Sequence, residues 1–269
     1  MIYLDADFLL YKIGFGTEDL DVAIDRLHMY LDDLSYRLGE DDIQLFLSCP
    51  SSRGFRRLDL DPSYKIHRTG ELPTVYNELR KYMEISMHAI SYDRLEADDV
   101  ISIYVTHESQ ENRVIVASMD KDFLTVPCTL LDIGKFNSKP VEVSLSEADY
   151  NHAIQTLTGD AADGFKGAPG IGPVKAEKLL KETSPRDRWG IIVEAYESKG
   201  LTEEDALLNA RLAFLLRGGY YDIRTRTIKL WEPSAWDYDV PNEVTVKALK
   251  EDRSTLESFD DLEDLLKGL

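Results

Sequence analysis

The fold class this 269-residue sequence predicts for its first half is α/β, a central parallel sheet flanked by helices. Three observations predict it. Short apolar stretches at Ile2 to Leu4, Ile43 to Ser48 and Arg113 to Ser118 read as buried strands. Val114-Ile115-Val116-Ala117 is apolar on both faces, as a central parallel strand should be. Helical periodicity fills the intervals, at Leu20 to Leu38, Pro73 to His88 and Ala97 to Glu108. Alternating β and α segments imply a parallel sheet covered by helices.

The remaining elements follow in order. Ser51 to Gly70 has little apolar periodicity and many basic residues, which predicts a mobile loop or arch base. From about Ser144 the pattern turns mostly helical: Glu147 to Leu157, Pro173 to Lys181, Arg186 to Glu197 and Glu203 to Arg217. The expected organisation is therefore a catalytic α/β core over 1–143, including an arch region near 51–90, and a mainly helical region over 144–269. Ser258 to Leu269 is acidic, with Phe259, Leu262, Leu265 and Leu266 at helical spacing. It reads either as a terminal helix packed on the body or as a tail that docks a protein partner.

A net charge of −19 argues at first against a nucleic-acid partner. The charge is uneven, however. Between Arg53 and Lys81 there are seven basic residues against four acidic, so a local phosphate track is compatible with the whole. Cys49 and Cys128 lack metal-ligand spacing and read as buried free thiols, which suits a reducing cytoplasm. No apolar run approaches the ~20 residues needed to span a bilayer. Asp5 and Asp7 stand where a signal peptide needs a basic and then apolar stretch. A soluble cytoplasmic protein without a membrane partner is expected.

Carboxylates are the strongest chemical signal. Seven lie on three short segments: Glu96, Asp98 and Asp99; Asp120 and Asp122; Asp160 and Asp163. Asp5 and Asp7 are candidates to join them. Glu96 and Asp99 are three apart at a helix start and share one face, Asp120 and Asp122 point to one side of an extended segment, and Asp160 and Asp163 are one helical turn apart. Any one pair could be a solvated face or a cap. Three pairs at the ends of the right elements point to a shared site, where repulsion and desolvation call for hard divalent cations bound by oxygen. Two such ions about 4 Å apart form a phosphodiester-cleaving centre.

The second signal is Gly164-Phe-Lys-Gly-Ala-Pro-Gly-Ile-Gly-Pro173, a tight glycine-rich turn opening onto a helix with Pro173 at its first position. Backbone N–H groups near Gly170 and Gly172 can hold a phosphate without reading its base, flanked by Lys175 and Lys178. A plain glycine-rich connection is the alternative.

These motifs together resemble the flap endonuclease/5′→3′ exonuclease superfamily, especially its bacteriophage members. Glu-Ala-Asp-Asp (96–99), Ser-Met-Asp-Lys-Asp-Phe (118–123) and Gly-Asp-Ala-Ala-Asp-Gly-Phe-Lys-Gly-Ala-Pro-Gly-Ile-Gly-Pro (159–173) match its motifs in order, over roughly residues 1 to 182. The resemblance implies a PIN-like 5′ nuclease core with a helical arch and a C-terminal helix–three-turn–helix at about 155–182. It implies two or more Mg²⁺ ions, with Mn²⁺ as an alternative, held by Asp5, Asp7, Glu96, Asp98, Asp99, Asp120, Asp122, Asp160 and Asp163. It also implies K⁺ at the glycine turn. Lys65 and Arg68 would act on the scissile phosphate, and Arg53, Arg56, Tyr64, Arg80 and Lys81 would join them in binding DNA. Tyr64 would stack on a terminal base; otherwise it is core and Lys65 a solvated side chain. The expected substrate is duplex DNA with a 5′ end or flap, or an RNA–DNA hybrid, cut by a monomer in the cytoplasm, that of the host if the gene is a phage's.

One departure stands out. Family members carry an Asp after the second strand's Phe, but here Phe46 is followed by Leu47 and Ser48. Asp7 is the nearest carboxylate that could compensate. Two rival readings remain at this point, a PIN-type single-strand ribonuclease and a DNA-binding module without catalysis.

Overall fold

The computed structural model describes residues 1–50, 53–68, 70–108, 114–135 and 138–237. The acidic segment from Ser258 to Leu269 thus lies outside the described residues.

Four strands, β1 (Ile2–Asp5), β2 (Ile43–Phe46), β3 (Ile115–Ser118) and β4 (Cys128–Asp132), run parallel. A short β5 (Val141–Val143) pairs antiparallel on the edge, giving the order β2-β1-β3-β4-β5. The sheet is therefore mixed, with β4 and β5 added to the three strands expected. Alternate residues enter opposite cores: Ile2, Leu4, Ile115 and Ala117 face one, Tyr3 and Val116 the other. Burial on both faces explains why these strands read as continuous apolar runs.

Helices α1 (Asp7–Gly14), α2 (Leu20–Leu38) and α3 (Tyr76–Ser86) contribute to the first core. Helix α4 (Ala97–Glu108) belongs to the second, with α5 (Leu145–Thr158), α6 (Pro173–Leu180), α7 (Pro185–Glu197) and α8 (Glu203–Ala213). One apolar cluster runs from Tyr3 and Val116 to Ala206 and Trp236, so the expected division after residue 143 does not coincide with a break in the core. A two-stranded ribbon, β6 (Tyr221–Asp222) and β7 (Thr227–Ile228), follows α8. Among the described residues no helix is long and apolar enough to cross a membrane. Cys49 and Cys128 are buried free thiols.

Three expectations need correction. Helix α8 stops at Ala213 rather than continuing to Arg217, because Phe214 turns extended and the backbone from Leu212 to Leu216 bonds to distant side chains instead. Residues 53–68, expected as an irregular loop or arch base, are locally regular: they fold as a helical turn, Arg56–Leu60, and further tight turns, with Phe55, Arg56 and Tyr64 buried. Asp160 and Asp163 are not on a helix. Gly159 ends α5 with φ 68°, and residues 160–165 form a tight turn closed by the Asp160–Phe165 bridge.

That turn is locked from behind. A Cβ on Gly159 would lie 2.4 Å from the Gly167 nitrogen, and one on Gly167 would lie 2.5 Å from the Leu157 carbonyl. Both residues have positive φ. Two backbones therefore cross here in direct contact, which only glycine permits.

Candidate metal centre and nucleic-acid interface

The strand order places a topological switch between β1 and β3, since the chain leaves β1 toward β2 and leaves β3 toward β4. A crevice opens at the carboxyl ends of the strands at such a point, and the chain's acidic residues collect there. Asp5 ends β1, accepting hydrogen bonds from the Asp7 N–H (3.2 Å) and the Ser118 hydroxyl (3.2 Å). Asp7 opens α1, where the helix dipole favours an anion.

Ser48, which stands where an Asp was expected, has a definite role. Its N–H donates to Asp7 Oδ1 (3.0 Å), and its Oγ accepts from the Ala97 N–H (2.8 Å) at the start of α4. Leu47 is buried in the apolar layer. Ser48 thus ties Asp7 to the helix carrying Asp98. Ligand atoms of Glu96, Asp98 and Asp99 lie within 4.8 Å of one another.

Asp120 and Asp122 reach the site by a different local structure from the one expected. Asp120 caps a short 3₁₀ turn, Lys121–Thr125, by accepting the Asp122 N–H (2.8 Å). Asp122 in turn accepts from Gln155 of α5 (2.9 Å). Asp160 accepts the Ala162 N–H (2.7 Å) and pairs with Lys121 (2.9 Å). Asp163 accepts from the Tyr64 hydroxyl (3.0 Å) and Arg68 (2.5 Å), with Lys65 Nζ at 3.5 Å.

A cavity of about 580 Å³ gathers Asp5, Asp7, Glu96, Asp98 and Asp120 with Lys65, Arg68 and Lys121; Phe8, Tyr11 and Met119 form its apolar wall. Asp122, Asp160 and Asp163 are not in its lining, but Asp160 and Asp163 pair with its cations. Lys65 has a left-handed backbone (φ 53°), held by its N–H donation to the Asp163 carbonyl (2.8 Å), and its Nζ reaches Glu96 at 2.6 Å.

The electrostatics fit a site for hard cations. Burial, then Asp7 and Asp120, push Asp5 up to about 7. Burial, then Asp120, Asp163 and Asp160, push Asp122 up to about 7. Asp98 is held well above the usual carboxylate range by burial and the charges of Glu96 and Asp99. Burial alone would raise Glu96, yet Lys65 and Arg56 outweigh it and hold it low. An oxygen-only donor set under mutual repulsion is the chemistry that divalent cations relieve.

Two predicted DNA contacts are corrected. Arg56 is only 2% exposed and is paired with Asp99 and Glu96, so it lies on no surface track. Tyr64 is 5% exposed, packed with Phe165, Leu212 and Ala213, which removes it from base stacking and favours the core alternative. Asp99, expected among the ligands, is fully buried with both oxygens occupied by Arg56 and the Leu216 N–H. Arg53 is exposed and pairs with Asp93, Arg80 pairs with Glu84, and Lys81 is exposed on α3. Lys175 and Lys178 are exposed on α6, which begins at Pro173 after the cap residue Gly172; Gly170 precedes it with φ 75°.

Sequence reasoning missed Ser48, Lys121 and Tyr11. A signal existed for two of them: Lys121 sits inside the Asp120–Asp122 motif, and Tyr11 is one helical turn beyond Asp7, on the same face.

Fold and site define a metal-dependent nuclease. No family model matches the chain. It is 26% identical over 225 residues to the exonuclease of Escherichia phage T7, covering 70% of this chain and 74% of that one. It is 30% identical over 179 residues to flap endonuclease Xni of Aeromonas salmonicida (strain A449), covering 60% of this chain and 68% of the relative. Its fold matches the zinc-bound T5 5′-exonuclease with a TM-score of 0.62 at 14% identity, over 96% of this chain and 99% of that one. The chain belongs to the flap endonuclease/5′→3′ exonuclease superfamily.

Proposed function

We propose that this nuclease hydrolyses phosphodiesters of duplex DNA at a 5′ end or flap, RNA–DNA hybrids being a second substrate, as a cytoplasmic monomer. One observation carries the reading: five carboxylates and three cationic side chains share one cavity at the sheet's switch point. Asp5, Asp7, Glu96, Asp98 and Asp120 would hold the divalent ions, Mg²⁺ by preference and Mn²⁺ in its place, with Asp122, Asp160 and Asp163 supporting from the far side. When bound, such ions neutralise phosphate charge and lower the pKa of water.

The chain's own groups supply the rest. Lys65 and Arg68 reach into the cavity, where they neutralise charge developing on the non-bridging phosphate oxygens. Tyr11, 40% exposed on the cavity wall, takes over from Tyr64 as the face on which a terminal base stacks. N–H groups at the start of α6, with Lys175 and Lys178, hold the duplex backbone without reading sequence. The carbonyls of the glycine turn are the candidate seat for K⁺. Arg53, Arg80 and Lys81 supply outlying phosphate contacts, and the acidic C-terminal segment is the candidate for docking a protein partner.

Cleavage of a 5′-labelled flap, a blunt duplex and an RNA–DNA hybrid, each with and without Mg²⁺, tests the proposal. Mg²⁺-dependent cutting of the DNA substrates, abolished in D120N and D163N, is expected. Undiminished cutting by both variants overturns it. Cutting of an added single-stranded RNA with none of these three substrates cut would assign the ribonuclease alternative.

A further inference from the structure

Asp99 belongs by sequence to the acidic motif but not, by its contacts, to the cavity. Its Oδ2 accepts from Arg56 Nη1 at 2.6 Å, and its Oδ1 accepts from Arg56 Nη2 (2.8 Å) and the Leu216 N–H (3.0 Å). A bidentate carboxylate–guanidinium pair with an added backbone donor leaves little of its lone-pair capacity free. The residue is 0% exposed.

Arg56 is equally saturated. Besides Asp99 it donates from Nε to the Leu212 carbonyl (3.1 Å), from Nη2 to the Phe214 carbonyl (2.6 Å) and from Nη1 to Glu96 Oε2 (3.2 Å). All five N–H donors of the guanidinium thus find acceptors. The pair joins three segments distant in sequence: the turn at Arg56–Leu60, the first turn of α4 and the chain leaving α8. Glu96 is the one group in this network that also lines the cavity.

We infer that Asp99 is the internal counterion of Arg56 rather than a metal ligand, and that the pair is a positioning device fixing Glu96 at the cavity. Arg56 neutralises Asp99 and orients Glu96 from behind, while Lys65 holds Glu96 from the front. The inference rests on the metal-centre reading for Glu96 and Asp98; the pairing itself is testable without nuclease activity.

The experiment compares D99N, R56M, the double variant R56M/D99L and D98N by thermal melting in EDTA and by calorimetric titration with Mn²⁺. Leaving a buried charge unpaired should lower the melting temperature of D99N and R56M by about 10 °C. The double variant should regain part of that loss, because both charges leave together. Mn²⁺ affinity should weaken in both variants, less in D99N, which loosens the support of Glu96, than in D98N, which removes a ligand. Losses that simply add in the double variant, or a D99N that melts normally and binds Mn²⁺ as poorly as D98N, overturn the inference.

Should these variants fail to fold, R56K keeps the charge and loses the fork. It should lower kcat for duplex cleavage with KM unchanged. A raised KM with an unchanged melting temperature would make Arg56 a DNA contact and refute the positioning role. Loss of Mn²⁺ binding in neither D98N nor D99N would instead count against the metal-centre reading.

Discussion

On one side of the cavity, Asp5, Asp7 and Asp98 stand at the end of β1 and the first turns of α1 and α4, and burial, aided by the charge of neighbouring carboxylates, lifts all three above the ordinary carboxylate range. On the other side, Glu96, Asp160 and Asp163 are each matched to a cation of the chain itself: Lys65 and Arg56, Lys121, and Arg68. The first group is left chemically unfinished by the fold and, in the function proposed above, is completed by ions from solution. The second is finished within the fold, and its cations lie at the phosphate's expected position. The comparison teaches that a single acidic cluster can contain two different electrostatic designs.

Removing a carboxylate from the unfinished side should have the largest effect. Burial, then the charges of Glu96 and Asp99, hold Asp98 well above the usual carboxylate range, so D98N removes a charge that its surroundings disfavour. Its melting temperature in EDTA should hardly move, while single-turnover cleavage in Mg²⁺ falls by about a thousandfold or more. On the finished side, K65M should lower cleavage by about 10²–10³-fold. It should also destabilise the fold, by about 3 kcal/mol at most, because Glu96 loses one of its two buried cationic partners and keeps Arg56; denaturant unfolding measures this.

pH sharpens the contrast. Asp5 and Asp122 have folded-state values near 7 against an ordinary 3.8, so between these limits the native state holds protons that the unfolded chain has released. Their contribution is fully present below the lower value and is lost as pH rises through the upper one. Melting in EDTA should therefore show falling stability from about pH 4 to about pH 7 from these two groups, and millimolar Mg²⁺ should flatten the fall. Asp160, lowered by Lys121 despite burial, contributes with the opposite sign, losing stability as pH drops. A melting curve with the same slope in EDTA and Mg²⁺ would remove the distinction between the two sides.

The smallest effects lie away from the cavity. K175A and K178A should each leave kcat and melting unchanged, weaken duplex binding, and reduce the salt dependence of affinity by about one unit of slope. Binding isotherms at several salt concentrations provide the measurement.

Local signals account for what the sequence revealed. Helix α2 is legible to the residue because Asp19 caps its start and Gly39 closes it in the left-handed conformation. Helix α4 is equally legible, its acidic first turn sitting where the dipole favours it. Helix α1, eight residues from Asp7 to Gly14, shows too few turns for a periodicity to emerge. Arg56 and Arg68 look alike in sequence, yet one is buried and the other is half exposed. What separates them is partners 43 to 158 residues away, for Arg56 the Asp99 side chain and the Leu212 and Phe214 carbonyls, and no local pattern encodes such distances. The tight turn at Asp160–Phe165 was hidden for a related reason: a spacing of three suits a helix and a turn equally, and Gly159 decides between them.

The crossing of Gly159 and Gly167 bears on where a strand is cut. Backbone pressed on backbone leaves no side chain to yield, so the turn bearing Asp160 and Asp163 and the glycine turn leading to α6 cannot slide past each other. The interval between the acidic cavity and the start of α6 is thereby a fixed length. In the function proposed above, that length, counted in nucleotides along a bound strand, would set the register of the cut, and two hydrogen atoms in place of two methyl groups hold it fixed.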